Sequence, residues 1–473
     1  MVGERVGHLW PESGRTALGT PPADGRAPRV PTIRIAASLL GIWLLPGWAW
    51  AQASAVRTTG LPSGLDWTFN FDAGWGTFGF ANSLFENPRE DVDDNLSDQW
   101  LEGSIKAKLS GRYVSGNSSE IFGSLSAVGE RTYASAPDLV GPEVSSFEVE
   151  DASIGWRSGT ALPIGENAVE FVVGRAPYQL GHGMLLYDGG AEGGTRGGYW
   201  TNARKAFELA AIGSFRPGPH TVEVFYLDRN ELPEADTGTR VWGANYELAA
   251  ADHSTLGFSY LGLTAEPLRR PRRDGAHVFN ARAYTAPFPA VRDLAFEAEY
   301  AAERNEDRLD ANAWTAQASY TLSSVRWTPS LAYRYAFFEG DDPDTPVSEG
   351  FDPLMPGFHD WGTWWQGEIA GEYFLSNSNL VSNMLRLHVV PSSGVEAGLL
   401  LFKFALDEPA SFAPGVTAKD IALEADVYVD WSINEHFTAS FVAAFANPQA
   451  AAEQAFGRTK NFSYGMVFIA YSY

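Results

Sequence analysis

Downstream of residue 51 the histidines are His182, His220, His253, His277, His359, His388 and His436, and they stand far apart. None belongs to an HExxH pair and no GxSxG nucleophile elbow accompanies them, so no hydrolase constellation forms. The chain contains no cysteine, which removes thiolate nucleophiles, zinc–thiolate centres and disulfides. What remains is charge set into apolar surroundings. Arg334 lies between Tyr333 and Tyr335, Arg386 between Leu385 and Leu387, and Lys403 between Phe402 and Phe404. Glu424, Asp426 and Asp430 recur at alternate positions late in the chain, and Arg282 precedes Glu297 and Glu299. Fixed charges of this kind steer and desolvate a passing solute; they do not make or break bonds.

Two acidic stretches, Glu90–Asn95 and Glu339–Asp344, carry carboxylates suited to calcium, but neither has EF-hand spacing, and both read as solvated outer loops. The segment Gly174-Arg175-Ala176-Pro177-Tyr178-Gln179-Leu180-Gly181-His182-Gly183 has no helix pattern after it that would cradle a phosphate. It reads as a glycine-rich loop folding into a pore.

The elements that must position these charges are strands. Segments about ten residues long alternate apolar and polar side chains, the period of a strand with two different faces. Asn312, Trp314, Ala316, Ala318, Tyr320 and Leu322 share one face, and Ala313, Thr315, Gln317, Ser319 and Thr321 the other. The segments 294–301 and 381–389 behave alike. Alternation alone fits a soluble sandwich as well as a membrane barrel.

Compartment and turns decide between them. Arg29 and Arg34 precede an apolar run from Ile35 to Trp50 that ends at Ala49-Trp50-Ala51, a signal-peptidase pattern that predicts a mature start at Gln52. Residues 1–51 are therefore assigned to a signal peptide with an upstream extension, translation starting near Val30, and 52–473 to the barrel domain. No later apolar run reaches the ~18 residues of a helical span. Connections alternate between short (115–118, 158–167, Arg216–Pro219, Ser323-Ser324, Pro391–Gly394, Ser432–Asn434) and long (82–97, 132–145, 176–198, 339–361, 407–417, 446–460). Short periplasmic turns with long outer loops mark outer-membrane barrels. The chain ends in alternating Val467, Ile469, Tyr471 and Tyr473, resembling the signal read by the barrel-assembly machinery.

The expected fold is thus an all-β transmembrane antiparallel barrel. Parity demands an even strand number, and it closes at about 18 strands only if 379–391 is a single span and 362–374 belongs to an outer loop free to fold inward. With rings outward, Arg334, Arg386 and His388, and Lys403 line the lumen on three successive strands, Leu400, Phe402 and Phe404 facing lipid. Glu424, Asp426 and Asp430 follow on the next strand, and Arg282 faces Glu297 and Glu299. These charges serve either as a guide for an anion or as mutual neutralisation inside a wet barrel.

The chain resembles the alginate export family of outer-membrane porins over most of 60–473. The resemblance rests on Gly174-Arg175 followed by Tyr178 and Gly181, Arg204–Leu209, Ser378-Asn379-Leu380, and Glu424-Ala425-Asp426-Val427-Tyr428, in that order. It implies an 18-stranded barrel with a cationic constriction for a polyuronate, for which Arg175, Arg204, Arg334, Arg386 and Lys403 are the candidates by position. The expected pore-lining set is Arg175, Arg204, Arg282, Arg334, Arg386, Lys403, Glu424 and Asp426. The expected function is export of an anionic, alginate-like polysaccharide or another bulky anion, the alternatives being a substrate-selective uptake porin and an outer-membrane hydrolase. Partners would be outer-membrane lipid and lipopolysaccharide, the substrate and a periplasmic scaffold; no cofactor is called for. Without residues 1–51, 29 of the 34 Lys/Arg and 55 of the 58 Asp/Glu remain, a net charge of −26, which excludes nucleic acid and argues against a uniformly positive conduit.

Overall fold

The two-residue alternation continues around a closed cylinder. The computed structural model describes residues 64–473 other than 85–96, 117, 135, 137–142, 188, 251–253, 289, 290, 292 and 358–365. The export signal expected at 1–51 and the acidic stretch Glu90–Asn95 lie outside the described residues.

Eighteen strands follow in order: β1 (Leu65–Ala81), β2 (Ser97–Val114), β3 (Glu120–Tyr133), β4 (Glu143–Arg157), β5 (Val169–Ala176), β6 (Phe207–Phe215), β7 (His220–Asp228), β8 (Arg240–Ala249) and β9 (Thr255–Thr264) form one half. The other half is β10 (His277–Thr285), β11 (Leu294–Asn305), β12 (Leu309–Thr321), β13 (Ser330–Phe338), β14 (Leu380–Ser392), β15 (Val395–Ala405), β16 (Asp420–Trp431), β17 (Phe437–Pro448) and β18 (Phe462–Ser472). Each pairs antiparallel with the next, and β18 pairs with β1. Closure leaves no sheet edge, so every strand finds its main-chain partners within the wall, as a bilayer requires. Tyr473 and Phe71 exchange both main-chain hydrogen bonds, at 2.9 Å each, beyond the last β1–β18 register pair.

The single span at β14 and the loop status of 366–374 agree with the parity argument; Ala370–Phe374 is one π-helical turn. Every connection from an odd to an even strand lies at one end of the barrel, the outer end by the convention of long outer loops, and 177–206 and 339–379 are the longest of these. The hairpin at 306–308 is a short exception on that side.

Facing follows from register and exposure. Phe147 is 74% exposed and Leu125 58%, values that only lipid explains for rows of apolar side chains. The same outward row carries Leu331 and Tyr333 on β13, Leu385 and Leu387 on β14, and Val427 on β16. Arg334, Glu424 and Asp426 lie on the opposite, buried row, and Arg386 and His388 share its parity, as the alternation predicts.

Two expectations are corrected. Leu400, Phe402 and Phe404 are buried on the inner row at 0–3% exposure, and Lys403 between them faces outward, paired with Asp420 at 2.9 Å. The rule that rings face lipid fails here because an inserted segment supplies an apolar surface inside the barrel for those rings to pack on. Arg175 also faces outward: Gly174 and Ala176 on either side pair with the buried Ala210 and Phe207, and Arg175 forms an ion pair with the exposed Glu208 at a bulge.

Because the chain has no cysteine, single-cysteine labelling reads these rows directly. A fluorophore at Leu401, Leu423 or Val427 is expected to be quenched by brominated acyl chains, and one at Arg386 or Glu396 by aqueous iodide. The reverse pattern would overturn the facing.

Candidate functional site: the lumen and its two inserted segments

Near the end of β5, Gly174 has a φ of +125°, and a Cβ there would stand 2.2 Å from the Ala152 carbonyl, so both require glycine. Segment 177–206 then crosses the lumen. The Tyr178 hydroxyl donates to Glu223 at 3.2 Å and its ring lies 4.6 Å from that of Phe225, both on the inner row of β7. Leu180, Met184, Leu185 and Leu186 are at most 1% exposed. His182 stacks on Tyr284 at 3.9 Å and lies 3.7 Å from Glu297.

Segment 339–379 enters from the β13–β14 side and meets the first one backbone to backbone. Tyr187 N–H donates to the Met355 carbonyl at 2.8 Å, Met355 N–H to Leu185 at 3.1 Å, and Gly357 N–H to Gly183 at 2.9 Å. A Cβ at Gly183 would stand 2.1 Å from the Gly357 oxygen, so this approach is open to glycine alone. Tyr199 of the first segment stacks near Tyr373 of the second at 6.5 Å, and Tyr373 packs on Phe80, Phe462 and Tyr464 of the wall.

Neither segment forms a ladder across the lumen, so its main-chain N–H groups need other acceptors. Carboxylates on the inner wall provide them. Glu102 on β2 accepts from Trp200 and Thr201 N–H at 3.0 and 2.8 Å, Glu130 on β3 from Ala203 N–H at 2.5 Å, and Glu150 on β4 from Lys205 and Ala206 N–H at 2.6 and 3.0 Å. On β16, Glu424 accepts from Ile369 and Ala370 N–H, both at 2.8 Å, and Asp426 from Glu368 N–H at 3.2 Å. Glu424 and Asp426 are thus fasteners of the second segment, sealed beneath it. Arg204, expected at the constriction, lies in the first segment and is fully buried against Glu130 at 2.6 Å, with Ser146 at 2.9 Å.

The other expected residues divide. Arg282 is a saturated hub, its guanidinium donating to Ser259, Asn280, Asn245 and Glu247 at 2.5–2.9 Å. Arg334 is 3% exposed on the inner row. Arg386 keeps partial exposure beside Tyr428 and Asp430, and His388 bonds the Tyr428 hydroxyl at 2.8 Å and faces Glu396 at 3.8 Å. The structure brings Arg386, His388, Tyr428 and Asp430 into one cluster; Arg175 and Lys403 stand outside the lumen.

The sequence reading missed Lys106 and Lys108, side by side on the inner row of β2 and facing Asp151 at 3.2 and 3.4 Å. The signal was present in Ile105-Lys106-Ala107-Lys108-Leu109, an alternating row with two cations. Missed too was a girdle of alternating sign near the periplasmic turns, running Asp66, Arg112, Glu120, Arg157, Glu170, Arg216, Glu223 with neighbours 3.0–3.9 Å apart. The acidic loop 339–344 is occupied by its own turn: Asp341 accepts from Ser348 and Glu349, and Glu339 from Asn312 N–H at 2.7 Å. At the outer rim Asp352 N–H donates to Glu303 at 2.8 Å while its carboxylate takes two bonds from Arg273. Burial by itself would raise the Asp352 carboxyl, but the charge and hydrogen bonds of Arg273 outweigh it and hold it down to about 2.

The profile of the alginate export family matches residues 165–465, well over half of the chain. The fold is similar to that of the outer-membrane protein OpdK from Pseudomonas aeruginosa (TM-score 0.53, 12% identity, covering 86% of this chain and 98% of that one). It is also similar to Pseudomonas aeruginosa OpdQ (TM-score 0.55, 10% identity, 86% and 97%) and to Acinetobacter baumannii OccAB4 (TM-score 0.52, 10% identity, 86% and 98%). A search of curated proteins finds no match.

Glu130→Ala strands the Arg204 charge in a dry site, so urea titration in lipid vesicles should show a loss of about 3–5 kcal/mol, with Glu130→Gln less damaging. For Asp352 the folded value lies below the ordinary 3.8, so its contribution is complete above about pH 4 and disappears as the pH falls through 2. Pepsin cleavage within 339–379 should therefore rise between pH 4 and 2, and Asp352→Asn should be cut equally at both.

Proposed function

The chain belongs to the alginate export family of outer-membrane β-barrel channels, and from that premise we propose that it conducts an anionic polysaccharide or another bulky anion across the bacterial outer membrane. Its work on this reading is transport, with no bond-making step.

One observation carries the anion preference. At the level where the inserted segments cross, the inner-wall acids Glu102, Glu130, Glu150, Glu424 and Asp426 are 0–3% exposed, engaged by main-chain N–H groups. The Lys106 and Lys108 side chains keep 16% and 32% exposure. A solute at that level therefore meets ammonium groups while the carboxylates that hold the segments are screened from it; Asp72, opposite Lys106 on β1, is the partly exposed acid beside them. Arg386 adds a partly exposed cation on the inner row of β14.

A second reading, selective uptake of a smaller anion, is supported by the contact between the two segments, which divides the lumen instead of leaving one wide bore. Planar-bilayer recordings separate these. Reversal potentials in a salt gradient should show anion preference that moves toward unity in Lys106→Gln/Lys108→Gln/Arg386→Gln; cation preference in the unchanged protein would overturn the proposal. Block by uronate oligomers that deepens with chain length supports the polysaccharide, whereas block by monomers alone supports the smaller solute.

A further inference from the structure

Where β18 meets β1, the cover of the inserted segments ends above an aromatic ring. Phe78, Phe80, Trp100, Phe462 and Tyr464 share the inner rows of β1, β2 and β18 and are at most 4% exposed. Phe468 lies further along the same row of β18, toward the periplasm, and is only half-buried. Two glycines set its position. A Cβ at Gly76 would stand 2.9 Å from Phe468 Cδ2, and one at Gly74 2.7 Å from Phe468 Cζ, so the ring lies along the β1 wall with its tip toward the periplasmic side. Trp200 of the first segment closes the outer side: its ring is 5.3 Å from that of Phe468 at an interplanar angle of 52°, and its main-chain N–H is fastened to Glu102 at 3.0 Å.

Polar groups of both signs surround the tip of the ring. Ser104 Oγ stands 3.0 Å from the same Cβ position of Gly74. Asp72, two residues away on β1, accepts from the Ser472 hydroxyl at 2.7 Å and lies opposite Lys106 in the register. The acids that Lys106 touches, Glu150 and Asp151, have side chains 1–3% exposed, whereas Lys106 keeps 16%, so a solute reaches the ammonium.

Filling the space over two glycines does not require a ring, and an aromatic face turned to water gains no hydrophobic stabilisation. A plain anion guide would be weakened by Asp72. A ring face, a carboxylate and an ammonium in one patch instead match a ligand that offers a flat array of C–H groups, hydroxyls and a carboxylate. The negative face of the ring attracts polarised C–H groups, hydroxyls donate to the carboxylate, and the ammonium pairs with the acid. A pyranose acid carries all three.

We propose that Phe468, with Trp200 and Asp72, forms a stacking subsite for the sugar rings of a polyuronate-type chain, Lys106 receiving a carboxylate of that chain. The subsite rests on the anion-conduction reading above and narrows it: the conducted anion is a sugar acid, and Phe468 separates it from other polyanions.

The test records single channels of the full barrel in planar bilayers and measures the dwell time of blocking events. Its probes are hexamannuronate and an acetylated, amidated hexaglutamate, which carries the same number of carboxylates without sugar rings. In the unchanged protein hexamannuronate should dwell longer. Phe468→Leu, which still fills the space over the glycines, should shorten that dwell roughly threefold to tenfold and leave hexaglutamate unchanged. Phe468→Tyr keeps the ring and should keep the dwell, while Lys106→Gln should shorten both. Equal dwell of the two hexamers in the unchanged protein, or a Phe468→Leu effect of equal size on both, would overturn the subsite while leaving anion conduction standing. Failure of the conduction reading is distinct: reversal potentials show no anion preference and neither hexamer blocks. Trp200→Leu gives the same contrast should Phe468→Leu not fold.

Discussion

A main-chain N–H inside a membrane barrel must find an acceptor, and the strands find theirs in one another. The segments 177–206 and 339–379 cannot, because each crosses the lumen without a ladder across it. Inner-wall carboxylates take that place: Glu102, Glu130 and Glu150 on three successive strands hold one segment, and Glu424 with Asp426 holds the other. Much else follows from this. Buried acids are tolerable because their oxygens accept main-chain hydrogen bonds that replace those of water. The aromatic inner rows around Phe80, Phe404 and Phe462 are tolerable because the segments cover them.

The wall handles charge in two ways. Inside, the girdle from Asp66 to Glu223 alternates sign strand by strand, so an aqueous surface stays polar without a strong field of one sign. Outside, charges stand in pairs at the outer ends of the strands, as Arg131 with Glu143 and Lys403 with Asp420. The same alternation of side chains thus supports opposite requirements on its two faces, and one bulge, as in β6 opposite Arg175, turns Glu208 outward beside Leu209.

The closed antiparallel sheet and its even strand count were legible because both rest on short-range patterns: period two, turn length and the parity of chain ends. The inward facing of Arg334 and Arg386 is legible because their neighbours Tyr333, Leu385 and Leu387 face lipid with no competing surface. The facing of Lys403 is not, since Phe402 and Phe404 pack on a segment that arrives from elsewhere in the chain, and a local pattern carries no trace of it. The fastening role of Glu424 and Asp426 was hidden for the same reason. Lys106 and Lys108 are legible in the local alternation Ile105-Lys106-Ala107-Lys108-Leu109, because no inserted segment reverses the facing of that strand.

The glycine contact between residues 183 and 357 bears on how the molecule is made. Leu186 and Met355, which pair in parallel beside it, are roughly 170 positions apart and belong to hairpins on distant parts of the wall. Nothing local brings them together, and the loop-closure entropy of such a contact is recovered only once the intervening strands are in register. The tie across the lumen therefore draws its stability from the finished wall: only the strands in register hold residues 183 and 357 side by side.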